Sequence, residues 1–249
     1  MPDPARSIHL DASTLVIPPR FCGPPGTGNG GYVAGRLASW AGATGPVEVT
    51  LRRPPPLATA LGVSRTEAPE PIWAISDAGG VVAEARLVPD ALRLEPALRP
   101  HPGSVASAAP RADHPFPRCF VCGPARAVGD GLRIAPAPVP GAGGIVAAPW
   151  TPPADLADAR GHVDHAAVWA ALDCPGYFAC VGAGPLRPLL LGRMTAAVEA
   201  PVRASEPCVI VAWPLSHAGR RHEAATALLD ANGRLLARSF QVWIAPREA

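Results

Sequence analysis

Apolar residues along the chain fall into short alternating runs separated by proline and glycine, apart from two longer stretches of small and apolar residues with no polar stripe. Val47-Glu48-Val49-Thr50-Leu51 alternates as a half-buried strand does, and Pro54-Pro55-Pro56 ends it or places it at a sheet edge. Leu15-Val16-Ile17 is a short strand candidate stopped by Pro18-Pro19. Ile72-Trp73-Ala74-Ile75 and the run 81–88 flank Asp77-Ala78-Gly79-Gly80 as a hairpin would. Residues 145–148 are strand-like, and the runs 194–202, 208–213, 223–229 and 235–244 fit a four-stranded meander. The two longer stretches predict helices. The first opens Gly30-Gly31-Tyr32-Val33-Ala34-Gly35 and ends near Gly42; the second runs from about 163 towards 181. Residues 166–172 of the second are apolar without a break, which describes a helix buried on all sides. Pro175 lacks an N–H and crowds the carbonyl of Ala171, so a kink or an end is expected there.

These elements occur twice in the same order. Each half has one helix and then a meander closed by an Asp-Ala-x-Gly turn, Asp77-Ala78-Gly79-Gly80 in one and Asp230-Ala231-Asn232-Gly233 in the other. Val49-Thr50-Leu51-Arg52-Arg53-Pro54 also parallels Ala197-Val198-Glu199-Ala200-Pro201. Self-similarity of this kind outranks local propensity. It predicts two copies of one α+β module packed as a pseudo-dimer, with residues 1–90 and 118–249 as the copies. Residues 91–117, rich in Pro, Ala and Arg, form the linker.

Composition narrows the function classes. Of 249 residues, 48% are hydrophobic, enough for a core, and the 33 prolines and 25 glycines cluster in loops between apolar runs. The net charge of +2 comes from scattered basic residues, which argues against nucleic-acid binding. No run has the length of a membrane span or the form of a signal peptide. Six cysteines without a framework spacing fit a reducing compartment, so the cytoplasm is the expected location.

Candidate chemistry centres on Asp173. An acid in a helix of Ala, Val, Trp and Leu must reach solvent or occupy a polar pocket. It either activates water or attacks a carbonyl, or it caps the helix break. Asn29-Gly30-Gly31 offers first-turn N–H groups and a positive helix end, or simply a cap and a tight turn. Gly26, Gly28 and Gly31 spell G-x-G-x-x-G, but no strand runs into the loop and no train of βα units follows, which argues against a dinucleotide fold; a P-loop is excluded because no Gly-Lys-Ser/Thr closes the run. Cys119 and Cys122 form a C-x-x-C. Zinc would need two more ligands; His114 is near and a fourth is not evident, so a structural loop with no metal is expected. Cys174 reads as a small buried thiol.

Three segments resemble the hotdog fold, in the double-hotdog form of the acyl-CoA thioesterase superfamily. Gly30-Gly31-Tyr32-Val33-Ala34-Gly35 is similar to the helix start of TesB-type enzymes. Cys119-Phe120-Val121-Cys122-Gly123 with Gly131-Leu132-Arg133-Ile134 resembles the corresponding segment of phenylacetate-pathway-type thioesterases, and Ala171-Leu172-Asp173 sits like their helix acid. The resemblance implies two antiparallel sheets, each wrapped around a buried central helix, and hydrolysis of acyl-CoA or carrier-protein acyl thioesters without a cofactor. Asp173 would be base or nucleophile. Asn29, Gly30 and Gly31 would hold the thioester oxygen, although single-hotdog relatives often carry His in place of Asn29. TesB-type enzymes also use an Asp, a Gln and a Thr: Gln241 matches the Gln, while Arg193 stands at the Asp position and Leu215-Ser216 near the Thr. Arg193 would instead meet an acyl-CoA phosphate. Copy one has Ala38 or Ser39 opposite Asp173, so a single working pocket is expected. The alternatives are a non-catalytic hotdog protein that binds acyl-CoA or a lipid-like ligand, and a dehydratase using His162 or His165. A monomer and a homo-oligomer both remain open.

Overall fold

Two side-chain caps start the two helices. Asn29 Oδ1 accepts the Tyr32 N–H at 2.9 Å and opens α1 (Gly30–Trp40); Asp164 Oδ1 accepts the Ala166 N–H at 2.9 Å and opens α2 (His165–Val181). α2 neither ends nor breaks at Pro175. It continues to Val181 and closes at Gly182, whose φ of 62° is readily reached without a Cβ. Burial on nearly every side of α2 offsets the intrahelical bond that proline removes. The computed structural model describes residues 14–42, 45–67, 69–88, 92 and 94–247. Residues 1–13 of the first expected copy and positions 91 and 93 of the expected linker lie outside the described residues.

The strands are β1 (Thr14–Val16), β2 (Val47–Leu51), β3 (Ala60–Thr66), β4 (Ile72–Asp77), β5 (Gly80–Leu87), β6 (Ala137–Pro138), β7 (Val146–Trp150), β8 (Leu190–Val198), β9 (Cys208–Ala218), β10 (Arg221–Asp230) and β11 (Leu235–Ile244). The expectation of two separate sheets is corrected. The eleven strands of the described residues form one sheet in the order β1-β3-β4-β5-β2-β8-β11-β10-β9-β7-β6. β2 and β8 pair antiparallel from Val47↔Ala196 to Thr50↔Arg193, so each covers what would otherwise be an open edge of the other. Pairing order is the same on both sides of that seam, β2-β5-β4-β3-β1 and β8-β11-β10-β9-β7.

α1 packs on β2, β4 and β5, α2 on β7 to β11, and the helices lie against each other. The chain between β5 and β7 fastens the halves together. Phe120 is fully buried beside Phe21 and Tyr32, and its N–H donates to the Cys22 carbonyl at 2.7 Å. The buried Arg126 guanidinium donates to the carbonyls of Arg118, Asp130 and Arg20. This pins the Cys119–Cys122 loop against the Gly-rich loop that leads into α1.

Candidate active site

Small residues let the helices approach closely. A Cβ on Gly31 would lie 2.5 Å from Asp173 Cβ and 2.8 Å from the Trp169 carbonyl oxygen; one on Gly35 would lie 2.7 Å from Ala166 Cα. Without those atoms the Gly31 N–H reaches Asp173 Oδ2 at 2.9 Å, and Asn29 Nδ2 donates to the same oxygen at 2.8 Å. Asn29 is used at both ends, since its Oδ1 caps α1 and its Nδ2 also lies 3.9 Å from Cys119 Sγ.

Asp173 is 2% exposed, and its other oxygen, Oδ1, is buried with no hydrogen-bond partner among the described residues. Burial pushes its carboxyl up to about 7, outweighing the two donors on Oδ2, which favour the ionised form. A cavity of about 270 Å³ is lined by Asp173 together with Asn29, Gly30 and apolar walls that include Leu51, Leu191 and Trp243. Gly30 supplies a first-turn N–H, one of the four that no helix carbonyl satisfies. Arg52 and Arg53 line the same cavity, the first paired with Glu84 and the second with Asp77; at 57% side-chain exposure Arg52 marks the solvent side.

His114 also lines this cavity and is 8% exposed. Its Nδ1 accepts the Phe116 N–H at 3.0 Å, which puts the proton of the neutral ring on Nε2, and burial lowers its pKa and keeps it neutral. Nε2 is buried with no partner among the described residues. Two residues that line the cavity thus each carry a buried atom without a partner among the described residues, the acceptor Asp173 Oδ1 and the donor His114 Nε2–H. Beside them lie the thiols of Cys119, Cys122 and Cys174. Hydrogen bonds from the Cys122 and Cys174 thiols draw the Cys119 thiol well below its ordinary range despite burial, whereas burial drives Cys174 well above it.

The structure brings together Asp173, Asn29, Gly30 and Gly31, with one change of role. The Gly31 N–H is spent on Asp173 and is not free for a thioester oxygen. Gln241 stands apart from the cavity wall. It is fully buried, donates one Nε2 proton to the Leu172 carbonyl at 2.6 Å and shares the other between Ser239 Oγ at 2.9 Å and Thr226 Oγ1 at 3.2 Å, and accepts from Trp243 Nε1 at 2.8 Å. Arg193 also lies elsewhere, on β8, donating to Thr50 Oγ1 at 3.2 Å and facing Glu48 at 3.5 Å. His162 and His165 line a different depression, and His165 Nε2 accepts from Trp169 Nε1 at 3.2 Å, so the histidines expected for a dehydratase are not beside Asp173. Sequence reasoning missed His114 as a cavity-lining donor, and Arg52 and Arg53 as lining residues. His114 sits in a Pro-rich stretch without periodicity, and only the Cys119–Cys122 motif nearby drew attention to it.

One antiparallel sheet bearing two helices, with its strands in the same pairing order on both sides of the β2–β8 seam, fits a double hotdog. Comparison with solved structures agrees. The chain is similar to a hotdog-fold protein of unknown function from Alicyclobacillus acidocaldarius, with 13% identity, a TM-score of 0.63 and 96% of each chain covered. It is likewise similar to a candidate thioesterase II from Thermobifida fusca, with 16% identity, a TM-score of 0.64 and coverage of 94% of this chain and 93% of that one. An acyl-CoA thioesterase II from Mycobacterium marinum gives 14% identity, a TM-score of 0.60 and coverage of 95% and 93%. At these identities the likeness establishes the fold. No family model and no curated protein matches the sequence.

Proposed function

We propose that the chain hydrolyses acyl thioesters, with Asp173 as the general base. The observation that carries the reading is the asymmetry of this carboxylate: Oδ2 is fixed by Asn29 and Gly31, while Oδ1 has no partner among the described residues, on a residue that lines a cavity with largely apolar walls. A base whose pKa lies near neutrality suits proton transfer at physiological pH. In this mechanism Oδ1 takes a proton from water as its oxygen bonds to the thioester carbon. The carbonyl oxygen, gaining charge, is met by the Gly30 N–H at the positive end of α1 and by His114 Nε2–H. The C–S bond then breaks, and the proton held by Asp173 passes to the departing thiolate. Leu51, Leu191 and Trp243 would hold the acyl or pantetheine chain, and Arg52 and Arg53 would face the phosphates of coenzyme A or an acidic carrier protein. Gln241 acts as a positioning residue, tying α2 to β10 and β11 one residue before Asp173. Neighbours described as thioesterases support the reaction class.

Binding without turnover is the second reading, favoured by the commitment of the Gly31 N–H to Asp173 and by the distance of Gln241 from the cavity wall. A panel of acyl-CoA thioesters separates the two. Free thiol release that disappears in Asp173→Asn is the expected outcome. A rise in melting temperature with acyl-CoA and no product would select the binding protein, and no response of either kind would remove both readings.

A further inference from the structure

Three thiols meet where the loop between the halves touches α2. Cys119, Cys122 and Cys174 are buried, and their sulfur atoms all lie within 4.8 Å of one another, Cys119 and Cys174 being 3.6 Å apart. Tetrahedral zinc with Zn–S bonds near 2.3 Å sets its sulfurs ~3.8 Å apart, so this triangle closes around an ion with shifts of a few tenths of an ångström to about 1 Å. The loop has the form such a site requires. Cys119-x-x-Cys122 turns back on itself, with the Gly123 N–H donating to the Cys119 carbonyl at 2.9 Å. A Cβ on Gly123 would come within 2.5 Å of that carbonyl oxygen and 2.6 Å of the Cys119 nitrogen, so only glycine allows a turn this tight. Asn29 Nδ2 points a further donor at Cys119 Sγ from 3.9 Å, as expected beside a ligating thiolate.

We propose that Cys119, Cys122 and Cys174 bind one thiophilic metal ion, with zinc(II) the ion best suited to the donor set. All three residues line the cavity, so the fourth coordination position is on its side and is filled by water or by a sulfur ligand entering there. His114 is not the fourth ligand in this arrangement, because its Nδ1 is occupied by the Phe116 N–H and its Nε2 carries the proton. Thiol protons pass to solvent as the ion binds. The site goes beyond the C-x-x-C seen in the sequence by drawing its third donor from α2, and it does not depend on thioester hydrolysis.

The test uses the full-length chain, reduced and freed of metal by a chelator, then titrated with cobalt(II) and back-titrated with zinc(II). The expected result is one equivalent of cobalt(II) giving a thiolate-to-cobalt charge-transfer band and a four-coordinate visible spectrum, both bleached by one equivalent of zinc(II). Cys122→Ser and Cys174→Ser should lose the band, and Cys208→Ser, a buried cysteine elsewhere, should keep it. Wild-type protein without the band overturns the proposal whether or not the variants fold. A band that survives Cys174→Ser overturns the three-thiol assignment, and a cysteine pair that oxidises to a disulfide while no metal is taken up replaces the ion with a redox pair.

Discussion

In the proposed mechanism Asp173 is the residue on which both chemistry and stability turn. Its folded-state value of about 7 lies above the ordinary 3.8, so the folded chain retains a proton that the unfolded chain releases between those values. Its contribution to stability is therefore fully present below about pH 4 and is lost as pH rises through 7. Measured on chelator-treated protein, the melting temperature of Asp173→Asn relative to wild type should rise from pH 5 to pH 8; a difference constant across that range would show that the carboxyl is not perturbed. His114 belongs to the same scale. His114→Phe keeps the ring volume but removes the bare donor, and should lower kcat by about 10²-fold if Nε2–H meets the oxyanion. An unchanged kcat would assign the donor to Gly30 alone. In the sequence Asp173 was legible because an acid among alanines and a tryptophan is anomalous. Its partners on Oδ2 were legible only as a helix cap and a pair of glycines. That the Gly31 N–H would be consumed by the acid depends on interhelical distance, which no local pattern encodes.

Among the elements, α1 and α2 set the site by their closeness. Gly31→Ala would place a methyl group 2.5 Å from Asp173 Cβ and 2.8 Å from a backbone oxygen, neither of which can swing aside. It should cost about 1–3 kcal/mol of stability and remove most hydrolytic activity, since the helices must part and the Asp173 hydrogen bonds with them. Denaturant titration and thiol release on the same preparation check both; wild-type values for both would contradict the packing described. Gln241→Leu tests the buried polar tie beneath α2. Leaving the Leu172 carbonyl and the Trp243 indole N–H without this partner should cost about 1–3 kcal/mol per buried group, with kcat reduced and KM little changed, and Gln241→Glu should not restore stability. The helices and the closing hairpins could be read from hydrophobic pattern and turn chemistry. β3 was missed because its only two buried hydrophobic residues, Leu61 and Val63, are split by Gly62 and followed by the polar Ser64 and Arg65. Of the kink or end expected at Pro175, the end does not occur, because burial of α2 outweighs one missing hydrogen bond.

For the whole molecule, the seam between β2 and β8 turns two similar halves into one sheet. The similarity between residues 49–54 and 197–201 was visible in the sequence, yet nothing there showed that the strands leading into or out of them pair through residues 47–50 and 193–196; strands so far apart in the chain carry no local mark of their pairing. The site is built across the same division, with Asn29 and Gly30 from one half and Asp173 from the other. Joined sheet, packed helices and a shared site require both halves at once, so urea unfolding followed by far-ultraviolet circular dichroism and by tryptophan fluorescence should give one coincident transition. Two separated transitions would mean that the halves fold independently and that the seam is weak.

The central claim is that a bare carboxylate oxygen across that division drives hydrolysis of a thioester. It is tested most directly by kcat/KM for free thiol release from an acyl-CoA, comparing wild type with Asp173→Asn, which preserves the acceptor for Asn29 and Gly31 and removes only the base. A loss of about 10²–10⁴-fold with the fold intact is the expected result. Equal values for the two proteins would contradict it.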